Sequence, residues 1–582
     1  MNIPFYQVDS PWNDVLGDDI SWILEYLKKY LNFARWAGLK EINVAKINIQ
    51  LIESVNLSKY QYKEIKEHDF FGFLLAKLNF TKKFLFILPV QIMDGYNLST
   101  NQNQDTKGIF FVKFKNGVKK TVSFNPLDGS FWLIFLKLAI KTETFPEFLT
   151  IDIENNQFTS KVKELLTSEI VSVDILGGGD TTNIVLLIHS NKEDDGKFIL
   201  KFFPKLSFNT GFYKHSILER NGFDKYAKFL GEMDYSESFF RKNVKNCMEE
   251  PNITKIESFC TVNQLNLMKF FPFIHFIEHI DNEMDGGTPF WNAAVKLTRD
   301  EDPVEIDYIT ESYCKRVSQC VGEFHKTLEK AKNLVHISEK SVFSRFITDL
   351  NHKIEIVTRS KPEQYLPSRN DNLKDIVDQA LNVIKLRFSE PEFINGLLEL
   401  NPDQFYNRTL CIHQDLHLAQ FIIEINTGEY KILDLEGDPQ SSWVDNIDEW
   451  PIEKDIAAVI RSFSYIKYFA LKDYINLSGL DYAVSDIFPI IHDINYQNFF
   501  KIEKIDEKIE NIRKIKKLLT LLREWEKNAM ESILKAYIMP FNRELIRIFL
   551  IHRVLSEISY ELNHRQQNVL IPLMGLIEII FD

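Results

Sequence analysis

Cysteine is scarce in this chain of 582 residues: there are five, Cys247, Cys260, Cys314, Cys320 and Cys411. They are odd in number, scattered, and never spaced Cys-x-x-Cys, so neither a disulfide framework nor a zinc site is indicated. Long apolar runs are missing too. The most apolar stretches, FLFILPV (residues 84–90) and VLIPLMGLIEIIF (residues 569–581), are too short to span a bilayer, and the second carries a glutamate. No membrane span is expected. The first residues, MNIPFYQVDSPWNDV, show no basic start followed by an apolar run, so a signal peptide is not expected and the location expected is cytoplasmic. Positive charge is in deficit: 69 Lys+Arg against 82 Asp+Glu leave a net charge of −13. With a pI near 5.6, this argues against the basic face that a nucleic-acid partner requires. Internal repeats and low-complexity tracts are absent. With 45% hydrophobic residues, a chain of this length can bury a large core and make two to four structural units.

The richest gathering of metal- and phosphate-binding side chains lies in LCIHQDLHLAQFIIEINTGEYKILDLEGDPQ, residues 410–440. QFIIEIN and EYKILDL flank Asn426-Thr427-Gly428 and predict a β-hairpin, with the glycine supplying a positive φ. His413, Asp415, His417 and Gln420 precede the first strand, and Asp434, Glu436 and Asp438 follow the second, so both clusters should meet at one mouth. Phosphoryl transfer uses such a pairing: one carboxylate orients an attacking hydroxyl and accepts its proton, while other oxygens hold Mg²⁺ against the phosphates. Asp415 suits the first role, and Gln420 with Asp434 the second. An Asp-rich turn capped by its own side chains is the plainer alternative. A metal-hydrolase site built on His413, Asp415 and His417 is another.

A second informative stretch is EIVSVDILGGGDTTNIVLLIHSNKEDDGKFILKFFP, residues 169–204. Gly177, Gly178 and Gly179 let backbone amides approach a phosphate, and the hydroxyls of Thr181 and Thr182 can add donors. Lys201, on the paired strand, could reach the α- and β-phosphates of a nucleotide. The segment does not fit Gly-x-x-x-x-Gly-Lys-Ser/Thr, which disfavours a P-loop fold. A strand before the loop and a lysine after the hairpin suggest a protein-kinase-like plan. A helix, NTGFYKHSILER, follows, and LNLMKFFPFI is expected to be the strand and hinge that joins two lobes. IDNEMDGGTPFW carries no assignable pattern.

The first 150 residues mix a helical pattern, SWILEYLKKYLNFARW, with strands around FILPVQI and IFFVKFKNGVKKTVSF, the latter turning at Asn116-Gly117. FWLIFLKLAIKT returns to helix. Arg35, Trp36 and Lys40 stand close together there, most simply as a helix end with surface cations. Beyond residue 300 the chain is mostly helical. Val317, Val321, Phe324 and Leu328 line one face, with His325 in a structural role. Ile456, Val459, Ile460 and Phe463 line another. ELIRIFLIHRVLSEISYELNHRQQNVLIPLMGLIEII is predicted as a long helix followed by a proline-broken one, with Glu557, Tyr560, Glu561 and Arg565 on a shared surface. The fold class expected is α+β: a bilobal, protein-kinase-like fold. It comprises an N-terminal α+β cap subdomain (1–150), an N-lobe (151–274) and a helical C-lobe (275–582).

These stretches resemble a known family. IHQDLHLAQ with ILDLEGDP resembles the catalytic and metal-binding pair of the maltokinases, which are aminoglycoside-phosphotransferase-like kinases. KDIAAVIRSFSY resembles the helix after that pair, RVLSEISYELNHRQQNVLIPL the closing segment, ILKFFPKLSFN the lysine strand and RWAGLK the start of the cap. The resemblance runs through most of the chain. It implies an ATP:maltose 1-phosphotransferase that uses Mg²⁺, with Asp415 as catalytic base, Gln420 and Asp434 as metal ligands, and Lys201 as the phosphate-binding lysine. It further implies Glu436 and Asp438 beside the metal, and Arg461, Tyr560, Glu561 and Arg565 near the sugar. His413 and Glu557 join the candidates for substrate contact. Family glycines are replaced by Gln414 and Ala419, a tyrosine expected near the sugar by Ser556, and the glutamate of the helix after the lysine by Tyr213, with Glu219 on another face. Glucosamine or an aminoglycoside stays open as acceptor, since Glu557 and Glu561 could meet an ammonium. A catalytically inactive nucleotide- or sugar-binding protein is a further alternative. Glu561 and Arg565, one turn apart, are expected to pair.

Overall fold

The computed structural model describes residues 5–8, 23–24, 27, 48–58, 68–79, 83–94, 109–124, 127–142, 148–152, 170–176, 183–191, 196–206, 208–244, 257–258, 260–261, 265–299, 301–330, 339–360, 371–438, 445–446, 448–477 and 509–581. The chain divides into two compact units, residues 1–212 with 227–280, and residues 213–226 with 281–582.

The first unit opens with a six-stranded sheet. Its strands are β1 (Phe5–Val8), β2 (Asn48–Asn56), β3 (His68–Asn79), β4 (Lys83–Asp94), β5 (Ile109–Phe114) and β6 (Lys119–Ser123). They lie in the order β1-β5-β6-β4-β3-β2. Gly117 adopts φ +84° in the β5–β6 turn, as the Asn-Gly pair predicts. β3 is buried almost continuously from Phe70 to Ala76, so both of its faces are covered. The helix α1 (Gly129–Thr142) brings Phe131, Trp132 and Phe135 against Phe73, which also meets Phe273 edge-on at 5.1 Å. Aromatic rings packed this way hold together largely by apolar burial, with a further gain of about 0.5–1.5 kcal/mol per pair.

A second sheet, antiparallel throughout, follows. It contains β7 (Leu149–Asp152), β8 (Ile170–Leu176), β9 (Ile184–Ser190), β10 (Lys197–Phe202), β11 (Phe229–Tyr235) and β12 (Ile274–Glu278), in the order β7-β11-β12-β10-β9-β8. The helix α2 (Gly211–Arg220) comes between β10 and β11. Three antiparallel strands, a helix, two more strands and then a mostly helical unit make the α+β, protein-kinase-like order of elements. LNLMKFFPFI is only partly strand. Leu267–Phe270 is a 3₁₀ turn in which Asn266 Oδ1 accepts from Met268 N, and Pro272, with no N–H for a ladder, delays β12 to Ile274.

The second unit starts with β13 (Asn282–Asp285), which pairs with β15 (Phe421–Glu424); β15 pairs in turn with β16 (Tyr430–Ile432). NEMD is therefore a strand, polar because its residues are largely exposed. Gly286 ends it: a Cβ there would stand 2.5 Å from Phe421 Cβ and 2.9 Å from the Leu418 carbonyl, so only glycine lets this backbone pass so close to the hairpin. A two-residue ladder joins β14 (Thr409–Leu410) to β17 (Trp450–Pro451). The helices are α3 (Thr288–Thr298), α4 (Pro303–Glu329), α5 (Glu339–Arg359), α6 (Asp371–Phe388), α7 (Glu453–Leu477), α8 (Ile509–Ala536), α9 (Arg543–His564) and α10 (Leu570–Phe581), with a few shorter turns between them. The predicted faces are the buried ones: Val317, Val321, Phe324 and Leu328 on α4, and Ile456, Val459, Ile460 and Phe463 on α7. Pro572 does not break a helix. It lies in the first turn of α10, where no intrahelical amide is needed, and the break falls earlier, at the 3₁₀ turn Gln566–Asn568. Among the described residues, no helix is long and apolar enough to cross a membrane.

Candidate active site

The hairpin forms as its sequence predicts, with Gly428 at φ +65°. One more backbone bond, Leu433 N to the Gln420 carbonyl at 2.8 Å, extends the pairing beyond the two strands and brings Gln420 beside Asp434. Both offer oxygen donors, the chemistry that Mg²⁺ prefers, and Mg²⁺ takes few protein ligands when phosphates supply the rest. Asp434 is exposed and holds φ +55°, a left-handed conformation that turns the chain at the strand end. Among the described residues, no cluster of three or more His, Cys, Asp or Glu is placed to hold a metal ion by itself.

The loop before β15 is fixed from behind. His413 is wholly buried; its Nε2 donates to the Leu433 carbonyl at 2.8 Å and its Nδ1 accepts from Asp415 N at 3.3 Å. Burial holds the imidazole pKa below its ordinary value, so the ring stays neutral. It ties the loop to the far strand and has no nitrogen left for a substrate, contrary to the expectation that it would touch one. Gln414 adopts φ +75°, which explains why a glycine would be at home there. The glutamine is held nonetheless. Its N–H donates to Asp455 Oδ1 at 2.7 Å, its Nε2 to the Asp445 carbonyl at 3.0 Å, and its Oε1 accepts from Lys454 Nζ at 3.1 Å.

Asp455, at the start of α7, is fully buried and also accepts from His413 N at 2.9 Å and His325 Nε2 at 3.1 Å. Burial alone would raise its pKa, but His325, His413 and the backbone donor hold it below the ordinary carboxylate range. His325 Nδ1 accepts from the Tyr537 hydroxyl at 2.6 Å, which settles its structural role. Lys214, from α2, is buried beneath the same loop and donates to the His413 carbonyl at 3.4 Å. It is the buried charge of that helix; Tyr213 is buried beside it and Glu219 faces solvent.

In front of the loop opens a cavity of about 700 Å³, walled by α5, α9 and the segment before α7, with Gln414 and Asp415 in its lining. Asp415 Oδ1 accepts from Arg553 Nη2 at 2.9 Å. Arg553 Nε lies 3.4 Å from Glu557 Oε1, and Glu557 Oε2 accepts from Arg461 Nε at 2.8 Å. Arg461, buried, ends the ladder on Ser464 Oγ at 2.6 Å. On another wall, His552 Nε2 lies 2.7 Å from Asp349 Oδ2, which Lys353 also contacts. Arg345 pairs with Asp445 at 3.0 Å, and Lys454 sits 4.0 Å above the Trp450 ring.

Of the residues assigned to the substrate, Asp438, Glu557 and Tyr560 line this cavity together with Asp415; His413, Glu436, Arg461, Glu561 and Arg565 do not. Arg565 stands past the last turn of α9, so its guanidinium lies 5.6 Å from the Tyr560 ring and makes no ion pair with Glu561. Glu561 is buried, and burial pushes its carboxyl up to about 7. Lys201 is buried on β10 opposite His275, which is itself opposite Glu232 on β11, so the three share one face of the second sheet. Gly177, Gly178, Gly179, Thr181, Thr182, Arg35, Trp36 and Lys40 lie outside the described residues. Arg553, Asp349, His552, Lys353 and Lys454 were not foreseen from the sequence. The one signal was the four-residue step from Arg553 to Glu557, which places both on one helical face.

Burial pushes the His552 imidazole down from 6.5 to about 4, while His552 and Lys353 hold Asp349 below the ordinary carboxylate range against its own burial. The unfolded chain therefore binds more protons than the native one between pH 6.5 and 4, so this part of the stability is complete above 6.5 and is lost as pH falls toward 4. The Asp349 part is lost lower still, as pH falls below about 3.8. Glu561, pushed up to about 7, acts in the opposite sense over the same range, so the test is the difference between proteins: from pH 7 to pH 5 the thermal midpoint of His552→Gln should lose less, or gain more, than that of the parent. An unchanged pH dependence in the variant would assign the acid-side loss to His413 and His417, whose pKa values burial also lowers.

No protein-family model matches the chain, and no curated protein matches it at a significant level. Among solved structures, a glucosamine kinase in complex with glucosamine, ADP and inorganic phosphate is similar over 91% of this chain and 94% of its own, at 11% identity and a TM-score of 0.43. Choline kinase from Cryptosporidium parvum Iowa II is similar over 77% of this chain and 94% of its own, at 11% identity and a TM-score of 0.30. An aminoglycoside phosphotransferase from Alicyclobacillus acidocaldarius is similar over 62% and 91%, at 11% identity and a TM-score of 0.24.

Proposed function

We propose that this chain is an ATP- and Mg²⁺-dependent sugar kinase whose acceptor is maltose, phosphorylated at its anomeric hydroxyl. The observation that carries the reading is Asp415. It lines a cavity of disaccharide scale, on a loop fixed by Asp455 and His413, and the same hairpin sets Gln420 beside Asp434. In phosphoryl transfer a protein contributes mainly positioning and electrostatics, and a rigid carboxylate over an acceptor cavity suits that task. Asp415 would orient the acceptor hydroxyl through Oδ2, its Oδ1 being held by Arg553. Gln420 and Asp434 would hold Mg²⁺, which when bound neutralises charge on the phosphates. Lys201 and the loop of Gly177, Gly178, Gly179, Thr181 and Thr182 are assigned to the nucleotide. Glu436 and Asp438 would stand near the metal. The choice of maltose rests on the family resemblance. An amino-sugar acceptor such as glucosamine is the second reading, one that would need the cavity carboxylates Asp349 and Glu557 to give up the protein cations they pair with.

A coupled assay of ADP release over maltose, glucose, glucosamine and aminoglycosides, with the phosphorylated position mapped by NMR, tests the reading. ATP-dependent phosphorylation of none of them would sink it. For the metal, Asp434→Ala should remove the extra thermal protection that Mg²⁺ adds to ATP, because a cation bound chiefly through phosphates depends on its few protein oxygens. A Mg²⁺-dependent rise in Tm equal to that of the parent would remove Asp434 from the site.

A further inference from the structure

Carboxylates line the cavity in number, yet those of Asp415, Glu557, Asp349 and Asp445 are each committed to a cation of the protein itself. Asp415 is held by Arg553, Glu557 by Arg553 and Arg461, Asp349 by Lys353, and Asp445 by Arg345. Arg553 is the member of this set that touches Asp415, and it bridges the carboxylate assigned to the acceptor hydroxyl to the next carboxylate along α9. Burial works against its charge, but Asp415 and Glu557 hold the guanidinium firmly protonated. An ammonium group entering beside Asp415 would meet a fixed positive charge and two anions already satisfied. A hydroxyl, which can donate to Asp415 Oδ2 and accept from the guanidinium, loses nothing there.

We propose that Arg553 is a specificity-determining residue that makes this cavity select uncharged, polyhydroxylated acceptors over amino sugars. The inference rests on the sugar-kinase reading and goes beyond it, because it assigns acceptor charge selection to one side chain. A guanidinium that pairs with both carboxylates fills the electrostatic position that a substrate ammonium would need, so its removal frees that position. Arg461 cannot take over, since it is buried behind Glu557 and is held by Ser464.

The test is steady-state kinetics of the full chain at saturating ATP and Mg²⁺, comparing maltose and glucose with glucosamine in the parent, Arg553→Gln and Arg553→Lys. The parent should favour the better neutral sugar over glucosamine by at least about tenfold in kcat/KM. In Arg553→Gln that ratio should fall at least about tenfold, chiefly through a lower KM for glucosamine, even if kcat drops for every sugar. Arg553→Lys keeps the charge and should keep the parental ratio. A merely structural arginine would lower all rates together and leave the ratio alone. A parent that prefers glucosamine, or an unchanged ratio in Arg553→Gln, overturns the inference while the kinase reading stands. If the parent phosphorylates no sugar, the kinase reading fails instead, and calorimetric binding of glucose and glucosamine to the same three proteins decides the inference by the same ratios.

Discussion

Asp415→Asn should lower kcat by ~10²- to 10⁴-fold while nucleotide affinity stays within a few-fold. The geometry gives the reason. Asp415 Oδ1 is occupied by the Arg553 guanidinium, so on the proposed function an acceptor hydroxyl would depend on Oδ2. In the asparagine variant the amide oxygen turns to the guanidinium, its stronger donor, and the amide nitrogen then faces the acceptor. That nitrogen is a donor where an acceptor is needed. The backbone of the turn should persist, because it is fixed by Asp455 and His413 and not by the Asp415 side chain. Single-turnover rates, with ADP binding measured in parallel, separate the two effects. A variant within threefold of the parental rate would show that Asp415 does no orienting, and a loss of nucleotide binding as large as the loss of rate would make it a structural residue.

What could be read from the sequence depended on how local the cause was. The hairpin was legible because Asn426, Thr427 and Gly428 dictate a turn within a few residues, and the inward faces of α4 and α7 were legible because helical spacing is local. The strand of Lys201 was legible for the same reason. Arg553 was not: its partner Asp415 lies 138 residues away, and the four-residue step to Glu557 gives a shared helical face but not that partner. Asp349 and Lys353 stand four residues apart, a spacing common on any charged helix, and only folding sets His552 beside them to make a cavity wall. β13 escaped notice because a largely exposed strand has no apolar alternation to betray it. The expected pairing of Glu561 with Arg565 assumed that α9 continued through residue 565, whereas it ends at His564. Arg461 was expected at the sugar; it is buried, does not line the cavity, and reaches it only through Glu557.

Asp455→Ala should cost about 3–5 kcal/mol of stability, the usual penalty when one partner of a buried ionic group is deleted. Three donors converge on this carboxylate: His413 N, Gln414 N and His325 Nε2. All lie where water cannot replace it, since Asp455, His413 and His325 are fully buried and Gln414 nearly so. Each orphaned donor would cost about 1–3 kcal/mol if nothing relaxed. Relaxation is therefore expected, and the loop shows where: Gln414, a non-glycine residue at φ +75°, is held in a conformation that stores about 1–3 kcal/mol. With Asp455 gone, Gln414 should swing out of the left-handed region and carry Asp415 with it. A displacement of about 1 Å at a positioned carboxylate costs about 10²-fold in rate. The variant should thus lose activity even at temperatures where it remains folded, which separates it from a plain core truncation. Urea unfolding at pH 7 should show a lower midpoint with an unchanged slope, as a loss of stability without a change in exposed surface requires. Asp455→Asn, which keeps one oxygen for one amide, should fall between the two. An alanine variant with a parental midpoint and parental kcat would mean that the turn is held by its other contacts, Gln414 to Asp445 and Lys454, and that Asp455 is dispensable to the site.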